Sequence, residues 1–140
     1  MREFVLDSVR RALEGEPSVL EAYVFGSTAR GDVHPNSDLD VAVFIEPSTQ
    51  APTFGHAAAV TSTLMKALGR NDIDVVVLNR APPLLYQRVL RDGVRVLSRD
   101  LKLTTTREGY ALSRYFDDLG RQRVVARAMA ERAARRESRG

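Results

Sequence analysis

The sequence contains no cysteine and only two histidines, His34 and His56, among its 140 residues. The lack of cysteine excludes a disulfide framework, a thiolate metal site and a cysteine nucleophile. Two histidines argue against a histidine-based zinc centre. Uninterrupted apolar runs are all far too short to span a membrane. The N-terminus, MREFVLDSVRRALEGEP, carries charges throughout and does not resemble a signal peptide, so we expect a cytoplasmic protein.

The composition is that of an ordinary globular domain, with 44% hydrophobic and 28% charged residues. Its charge is unevenly distributed. Residues 1–100 carry 11 basic and 13 acidic side chains, whereas residues 101–140 carry 10 basic and 5 acidic ones. The basic C-terminus favours contact with a polyanion or an acidic partner surface, and a solvated helix with an arginine-rich outer face fits it equally well.

The sequence alternates between helical and strand patterns. At the N-terminus, Val5, Val9 and Leu13 have helical spacing. The further predicted elements are a strand over Val19–Phe25, a loop over 26–37, a strand over 38–45, a helix closed by Gly69, a strand over 73–78, a helix from Pro82-Pro83 to Gly93 and a short strand over 94–97. This order predicts an α/β domain: a small mixed β-sheet flanked by helices, since the loop between the first two strands is too short for a full crossover helix.

Two further expectations concern the sheet and the C-terminus. The strand over 73–78 is almost wholly apolar, which favours a central position. The run Thr105-Thr106-Arg107-Glu108 has the form of a capping box and predicts that a long helix begins there, with Gly120 as a point of kinking or breakage. We therefore expect a catalytic domain over 1–100 and a helical, arginine-rich extension over 101–140.

The candidate functional residues are concentrated between Gly26 and Asp40. Gly26-Ser27 follows a strand directly, where backbone N–H groups and a serine hydroxyl can bind a phosphate. Asp38 and Asp40 have the same parity in the next strand, so their carboxylates lie on one face, roughly 6.5–7 Å apart along the strand. Mg²⁺ prefers such oxygen ligands together with substrate phosphates. The pattern predicts metal-assisted phosphoryl or nucleotidyl transfer.

Such chemistry needs a third carboxylate, either to complete a two-metal site or to act as the base that deprotonates the attacking hydroxyl. Asp74 is preferred over Asp72, because it lies between Ile73 and Val75 and a carboxylate within an apolar strand is costly unless paired or metal-bound. Taken singly, each feature has a structural explanation: a Gly-Ser pair usually forms a turn, and an Asp-x-Asp usually ends a strand. Their occurrence together and in this order favours function.

The run GSTARGDVHPNSDLD resembles the Gly-Ser-x10-Asp-x-Asp signature of the DNA polymerase beta-like nucleotidyltransferases. The short chain and the SDLD ending resemble its minimal nucleotidyltransferase (MNT) subgroup, over about residues 19–97. The C-terminal helix is similar in placement to that of MNT antitoxins from HEPN–MNT toxin–antitoxin modules. The resemblance implies that Gly26 and Ser27 bind a triphosphate, with Arg30 as a further phosphate contact and Ser37 positioning the strand.

The resemblance also implies that Asp38, Asp40 and Asp74 hold Mg²⁺, with Asp74 as ligand or base, and that ATP is the co-substrate. The implied function is that of a type VII-like antitoxin, a protein adenylyltransferase that transfers AMP from ATP to a tyrosine of a partner HEPN ribonuclease toxin. Two alternatives stay open: the same chemistry on a small molecule such as an aminoglycoside, and neutralisation of the toxin by binding alone. Direct nucleic-acid binding is not favoured, since the tail lacks interleaved aromatic residues, and self-association stays open.

Overall fold

A four-stranded mixed sheet, in the strand order β3-β2-β1-β4, forms the centre of the protein. The computed structural model describes residues 1–31 and 38–139. The elements are α1 (Arg2–Glu14), β1 (Val19–Phe25), α2 (Ser27–Arg30), β2 (Leu39–Ile45), α3 (His56–Leu68), β3 (Ile73–Val77), a short 3₁₀ turn (Leu78–Arg80), α4 (Pro83–Asp92), β4 (Val94–Ser98) and α5 (Leu101–Arg139). The α/β prediction is confirmed, including the order of its main elements.

The strand pairing confirms that the sheet is mixed. β1 is antiparallel to both β2 and β4, whereas β2 and β3 are parallel. The prediction of a central position for the strand over 73–78 is wrong, because among the described strands β3 pairs with β2 alone and forms one edge. Val75 and Val77 of β3 pack against the hydrophobic core on one face of the sheet. The apolar composition of this strand therefore reflects packing beneath a helix and not a central position in the sheet.

Alternation along β2 separates the protein into two layers. Leu39, Val41, Val43 and Ile45 are buried in the core on the side of α1 and α3. Ala42 and Phe44 belong to a second apolar cluster, formed with α4 and α5 on the other side of the sheet. Asp40 shares their parity, so the sequence pattern alone assigns this carboxylate to the α4–α5 side.

The long C-terminal helix begins four residues earlier than predicted. Asp100 is its N-cap: the Asp100 Oδ1 accepts a hydrogen bond of 3.2 Å from the Leu103 N–H. Thr105 lies inside the first turns, where its hydroxyl donates to the Leu101 carbonyl, so the predicted capping box is not formed. The expected break at Gly120 is also absent, since α5 runs without interruption through that residue.

Buried polar contacts attach the start of α5 to the sheet. Glu21 of β1 is fully buried and accepts hydrogen bonds from Arg107 Nε and a terminal nitrogen of the same guanidinium, both at 2.7 Å. The Thr104 hydroxyl donates to the same carboxylate at 2.9 Å. Beside them, Tyr23 donates to Glu108, which also pairs with Arg95. This network fixes α5 against β1, and it leaves the distal part of the helix without sheet contacts.

The distal part of α5 is exposed on all sides. Every residue from 121 to 138 is exposed to solvent, although the segment includes Val124, Val125 and Met129. None of the described helices combines the length and the apolar character that crossing a membrane requires. The far end of α5 thus extends away from the folded domain as an unsupported arginine-rich helix.

Candidate active site

Register pairing brings two of the predicted carboxylates side by side. In the parallel pairing of β2 with β3, Asp40 lies opposite Asp74. Adjacent strands are about 4.8 Å apart, so these side chains leave the sheet as close neighbours. Asp38 is exposed and stands immediately before β2, two residues from Asp40. The predicted trio is therefore gathered at one end of the sheet.

The electrostatics of Asp40 reflect this crowding. Partial burial raises the pKa of the Asp40 carboxyl above its ordinary value, and the nearby charges of Asp74 and Asp38 raise it further. The Arg30 guanidinium opposes these effects on the pKa of Asp40. A negative charge on Asp40 is therefore disfavoured unless a cation compensates it. This end of the sheet is thus a site at which a bound cation would relieve repulsion.

The turn after β1 faces the same carboxylates. Phe25, the last residue of β1, pairs with Asp40, so Gly26 enters the turn beside that side chain. Gly26 has φ +74° and ψ −151°, a conformation that favours glycine. A Cβ at this position would collide with the Asp40 carboxylate. Glycine therefore serves both the backbone turn and the close approach of the turn to Asp40.

Ser27 begins α2, and Arg30 ends it. The Arg30 N–H donates to the Gly26 carbonyl at 3.3 Å, which closes this single helical turn, and the Arg30 side chain is exposed. The effect of Arg30 on the pKa of Asp40 shows that its charge acts at the carboxylate cluster. The turn thus brings Gly26, Ser27 and a cationic side chain to the same end of the sheet as the aspartates.

Substitution of Gly26 tests this geometry. We expect Gly26→Ala to lower the free energy of unfolding by about 1–3 kcal/mol, since it combines strain at positive φ with a collision at Asp40. Gly31→Ala is the matched control, because Gly31 also has positive φ, +81°, but open space where its Cβ would lie. Thermal unfolding and nucleotide-binding titrations of both variants check this. Equal losses of stability with unchanged nucleotide binding in both would contradict the close approach.

The donor set fits Mg²⁺ bound together with a substrate. Asp38, Asp40 and Asp74 offer hard oxygen atoms, which Mg²⁺ prefers. Within the ranges 1–31 and 38–139, no three acidic, histidine or cysteine side chains are close enough to form a ready-made metal cage. Mg²⁺ rarely uses an all-protein cage and instead completes its coordination with water and phosphate oxygens. The arrangement suits a metal that arrives with a nucleotide.

Two predicted features differ in their surroundings. Asp74 is exposed rather than enclosed by apolar neighbours, because β3 is an edge strand, so the argument from burial was wrong although the register supports its place in the cluster. Asp72 is half-buried and paired with Arg70 rather than solvated. Ser37 and His34 lie outside the described residues, and the assignment of Ser37 stays a prediction.

The sequence analysis did not find a cavity on the α4–α5 side of the sheet. It encloses about 390 Å³ and is lined by residues of β2, the 3₁₀ turn, α4 and α5. Arg107, Tyr110, Ala111 and Arg114 face it from α5 at positions i, i+3, i+4 and i+7. This spacing is visible in the sequence as one helix face, but only the packed α4 shows that the face lines a cavity. We call it the α4–α5 cavity.

Comparison with known proteins gives one family match and several structural matches. The family model described as polymerase beta, nucleotidyltransferase matches residues 7–102. No curated protein matches the sequence. Among solved structures, a toxin–antitoxin complex with AMP-PNP matches at 21% identity and a TM-score of 0.65, covering 92% of this chain and 98% of the other.

Two further structures match equally well. An MNT antitoxin in complex with a tri-AMPylated HEPN toxin of Shewanella oneidensis matches at 21% identity and a TM-score of 0.66, over 92% of this chain and 99% of the other. The MntA–HepT toxin–antitoxin complex matches at 22% identity and a TM-score of 0.65, over 91% and 98%. At this level of identity the likeness establishes a common fold, which includes most of the long C-terminal helix.

Proposed function

The chain belongs to the polymerase beta nucleotidyltransferase family, and on this premise we propose that it is a protein adenylyltransferase that transfers AMP from ATP to a partner protein. The observation that carries the proposal is the pairing of Asp40 with Asp74 beside Asp38 and the Gly26 turn. Nucleotidyl transfer requires carboxylates that can hold a metal ion, close to a turn whose backbone can bind the phosphates. The family covers nucleotidyl transfer in general; the choice of AMP and of a protein acceptor is our inference.

In the proposed reaction, Gly26 and Ser27 bind the triphosphate, with Arg30 beside it. Asp38 and Asp40, with Asp74, would hold Mg²⁺, which would neutralise charge on the phosphates when bound. The acceptor oxygen forms a new bond to the α-phosphorus, the bond from this phosphorus to the bridging oxygen breaks, and pyrophosphate leaves. Asp74, exposed at the sheet edge, would serve as the third ligand or as the base that accepts the hydroxyl proton. Alignment and charge compensation would supply most of the rate.

The proposed acceptor is a tyrosine of a HEPN-type toxin, and the modification would silence the toxin. Support comes from the structures that share this fold, one of which holds an AMPylated HEPN toxin. The protein would thus be the antitoxin of a type VII-like toxin–antitoxin pair. An exposed Asp74 at an edge strand is consistent with a macromolecular acceptor, because a large substrate can reach an open edge without entering a deep pocket.

The exposed end of α5 is proposed to bind the partner. Deleting residues 121–140 should weaken the complex by about tenfold or more, because seven arginines and the apolar residues among them leave the interface. ATP binding should be unchanged, since the carboxylates lie at the sheet. Calorimetric titrations of the truncated and full-length chains against the partner and against ATP measure both. A loss of ATP binding on truncation would contradict this assignment.

Intact-mass spectrometry tests the proposed function. The partner toxin is incubated with this protein, ATP and Mg²⁺, and with the Asp38→Ala/Asp40→Ala variant as control. Increments of one or more AMP masses that are absent with the variant support protein AMP transfer. No mass change despite a stable complex would contradict it and favour neutralisation by binding. A parallel reaction with aminoglycosides in place of the toxin would reveal a small-molecule acceptor.

A further inference from the structure

The outer edge of β3 presents backbone groups that no described strand pairs with. β3 pairs with β2 alone among the described strands. The Leu39 N–H donates to the Asp72 carbonyl at 2.8 Å, and alternate residues of a strand direct their backbone groups to opposite neighbours. Asp74, two residues from Asp72, therefore bonds toward β2. The N–H and C=O groups that face outward are those of Ile73, Val75 and Val77, and within the described part of the chain no other element bonds to them.

The side chains of β3 are divided between the two faces of the sheet. Asp74 lies on the face of Asp40, whereas Val75 packs into the core on the side of α3. A strand added to this edge would alternate in the same way. In an antiparallel addition the residue opposite Asp74 forms a non-hydrogen-bonded pair, in which the two Cα atoms are about 4.5 Å apart. A side chain at that position would leave the sheet directly beside the Asp74 carboxylate.

The charge of Asp74 restricts which side chain fits opposite it. An acidic residue there would be repelled, and an apolar one would cover the carboxylate without giving it a hydrogen bond. A tyrosine fits better, since it is favoured in strands and its hydroxyl donates a hydrogen bond. β3 contains neither lysine nor proline, the residues that commonly protect an edge from pairing. The edge is thus open to a strand that places tyrosine opposite Asp74.

A shallow groove flanks the start of β3 on the α3 side. It has a volume of about 500 Å³ and is lined by Met65, Lys66, Gly69, Arg70 and Asn71. The Thr63 hydroxyl donates to Glu16, at the end of α1, at 2.9 Å. Met65 is about 200° farther around the helix, so it lies on the side of α3 that faces away from α1 and toward the β3 edge.

This groove favours an acidic residue next to the tyrosine. In an antiparallel strand the residue after the tyrosine lies opposite Ile73, at the start of β3, and its side chain points to the α3 side. Met65 offers apolar surface there, and Lys66 is exposed and cationic. A glutamate can contact Met65 with its methylene groups and Lys66 with its carboxylate. Charge complementarity therefore favours a tyrosine followed by glutamate over a tyrosine followed by a basic residue.

We propose that the acceptor segment of the partner adds to β3 as an antiparallel strand, with its tyrosine opposite Asp74 and an acidic residue after it at the groove. This proposal rests on the proposed function, because it concerns the acceptor of the same site. Backbone hydrogen bonds to Ile73 and Val75 would hold the segment and fix the position of the hydroxyl. The tyrosine oxygen then bonds to the α-phosphorus, its proton passes to a carboxylate of the cluster, and pyrophosphate leaves.

Amide hydrogen exchange measured by NMR tests the edge on the full-length Asp38→Ala/Asp40→Ala variant. The probe is the capped heptapeptide Thr-Val-Thr-Tyr-Glu-Thr-Val, with an expected Kd of about 1 mM or tighter. In the free chain the Ile73 and Val75 amides should exchange at least about tenfold faster than the Asp74 amide, which bonds to β2. Saturating probe should slow exchange at Ile73 and Val75 about threefold or more. No saturable binding, or protection confined to other residues, would overturn the proposal.

N-methylated probes separate strand addition from other modes of binding. N-methylation of the probe's glutamate removes the N–H that would donate to the Ile73 carbonyl, and binding should weaken about tenfold. N-methylation of the tyrosine is the matched control, because its N–H would face away from β3, and binding should change by less than about twofold. Equal effects of the two modifications would overturn the proposal.

Charge reversal tests the contact at the groove. Lys66→Glu should weaken binding of the probe about threefold, as expected for an exposed ion pair. Lys102→Glu, the same change at an exposed position at the start of α5, should leave binding unchanged. A probe with glutamine in place of glutamate should bind the original chain and Lys66→Glu equally well. Equal effects of the two lysine substitutions would contradict the acidic residue at the groove.

Mass spectrometry of the probe after incubation with the original chain, ATP and Mg²⁺ separates this proposal from the proposed function. An AMP increment that is retained with the N-methyltyrosine probe and reduced with the N-methylglutamate probe supports both. Protection of Ile73 and Val75 without any AMP increment supports the strand addition and contradicts AMP transfer. AMP transfer to the partner toxin without protection of these amides by the probe overturns the strand addition and leaves the proposed function intact.

Discussion

Asp40→Asn is expected to lower the rate of the proposed AMP transfer at least about a thousandfold while leaving the fold intact. Asparagine keeps the shape of the side chain but removes the charge that would hold Mg²⁺ beside the triphosphate, and loss of such an interaction costs several kcal/mol in the transition state. The rate is measured from the time course of AMP incorporation at saturating ATP and Mg²⁺. A residual rate within tenfold of the original would contradict the role of Asp40.

The stability of the same variant distinguishes a catalytic from a structural role. Because the pKa of Asp40 is raised on folding, the folded state holds this proton more tightly than the unfolded state does, and stability falls as pH rises through the window between the two pKa values. Asparagine removes that penalty, so the metal-free variant should unfold at the same or a higher temperature near neutral pH.

Asp72→Asn is the matched control for the aspartate substitution. Asp72 lies two residues from Asp74 but pairs with Arg70 instead of joining the carboxylate cluster. The variant should therefore keep its rate of AMP transfer and lose only the modest contribution of a half-exposed ion pair. A large loss of rate in this control would mean that the effect of Asp40→Asn is not specific to the carboxylate cluster.

Arg107→Ala is expected to lower the free energy of unfolding by about 3–5 kcal/mol. Within the part of the chain that the structure describes, the substitution leaves the fully buried Glu21 carboxylate with the Thr104 hydroxyl as its remaining side-chain partner, and an uncompensated buried charge is strongly destabilising. The contact of the guanidinium with the Phe44 ring is lost as well. Urea unfolding measured by circular dichroism gives the difference, and a loss below about 1 kcal/mol would contradict this view of the pair.

Two companion variants identify the cause of that loss. Arg121→Ala removes an exposed guanidinium 3.6 Å from Asp118, and it should change stability by less than about 0.5 kcal/mol. The double variant Glu21→Leu/Arg107→Leu should recover much of the stability lost in Arg107→Ala, because no charge stays buried. If the double variant is no more stable than Arg107→Ala, the loss of stability comes from the packing of the arginine side chain instead.

Local sequence patterns predicted most of the secondary structure. β1 has the predicted bounds and β2 is shorter by one residue, because alternating β-branched residues and the glycine after Phe25 specify a strand and its end. The helix closed by Gly69 is likewise confirmed, with Gly69 in the left-handed conformation. The capping box failed because Asp100, an equally good cap, precedes it by five residues and captures the helix start.

Most residues of the predicted site lie close together in the sequence. Gly26 and Ser27 directly follow β1, and Asp38 and Asp40 lie at the start of β2, which pairs with β1, so their proximity follows from chain connectivity. Asp74 belongs to a strand that arrives after a helix, and the sequence suggested it by a burial argument that the edge position of β3 contradicts. Its place beside Asp40 was decided by strand pairing.

The sequence by itself determined most of the elements, the glycine turn and the parity that places Asp38 and Asp40 on one face. Only the tertiary structure decided that β3 forms an edge, that Asp74 lies opposite Asp40, that Glu21 is buried against Arg107, and that α4 and α5 enclose a cavity. The physical reason is range: turns and periodicity act within a few residues, whereas strand register and burial depend on partners far along the chain.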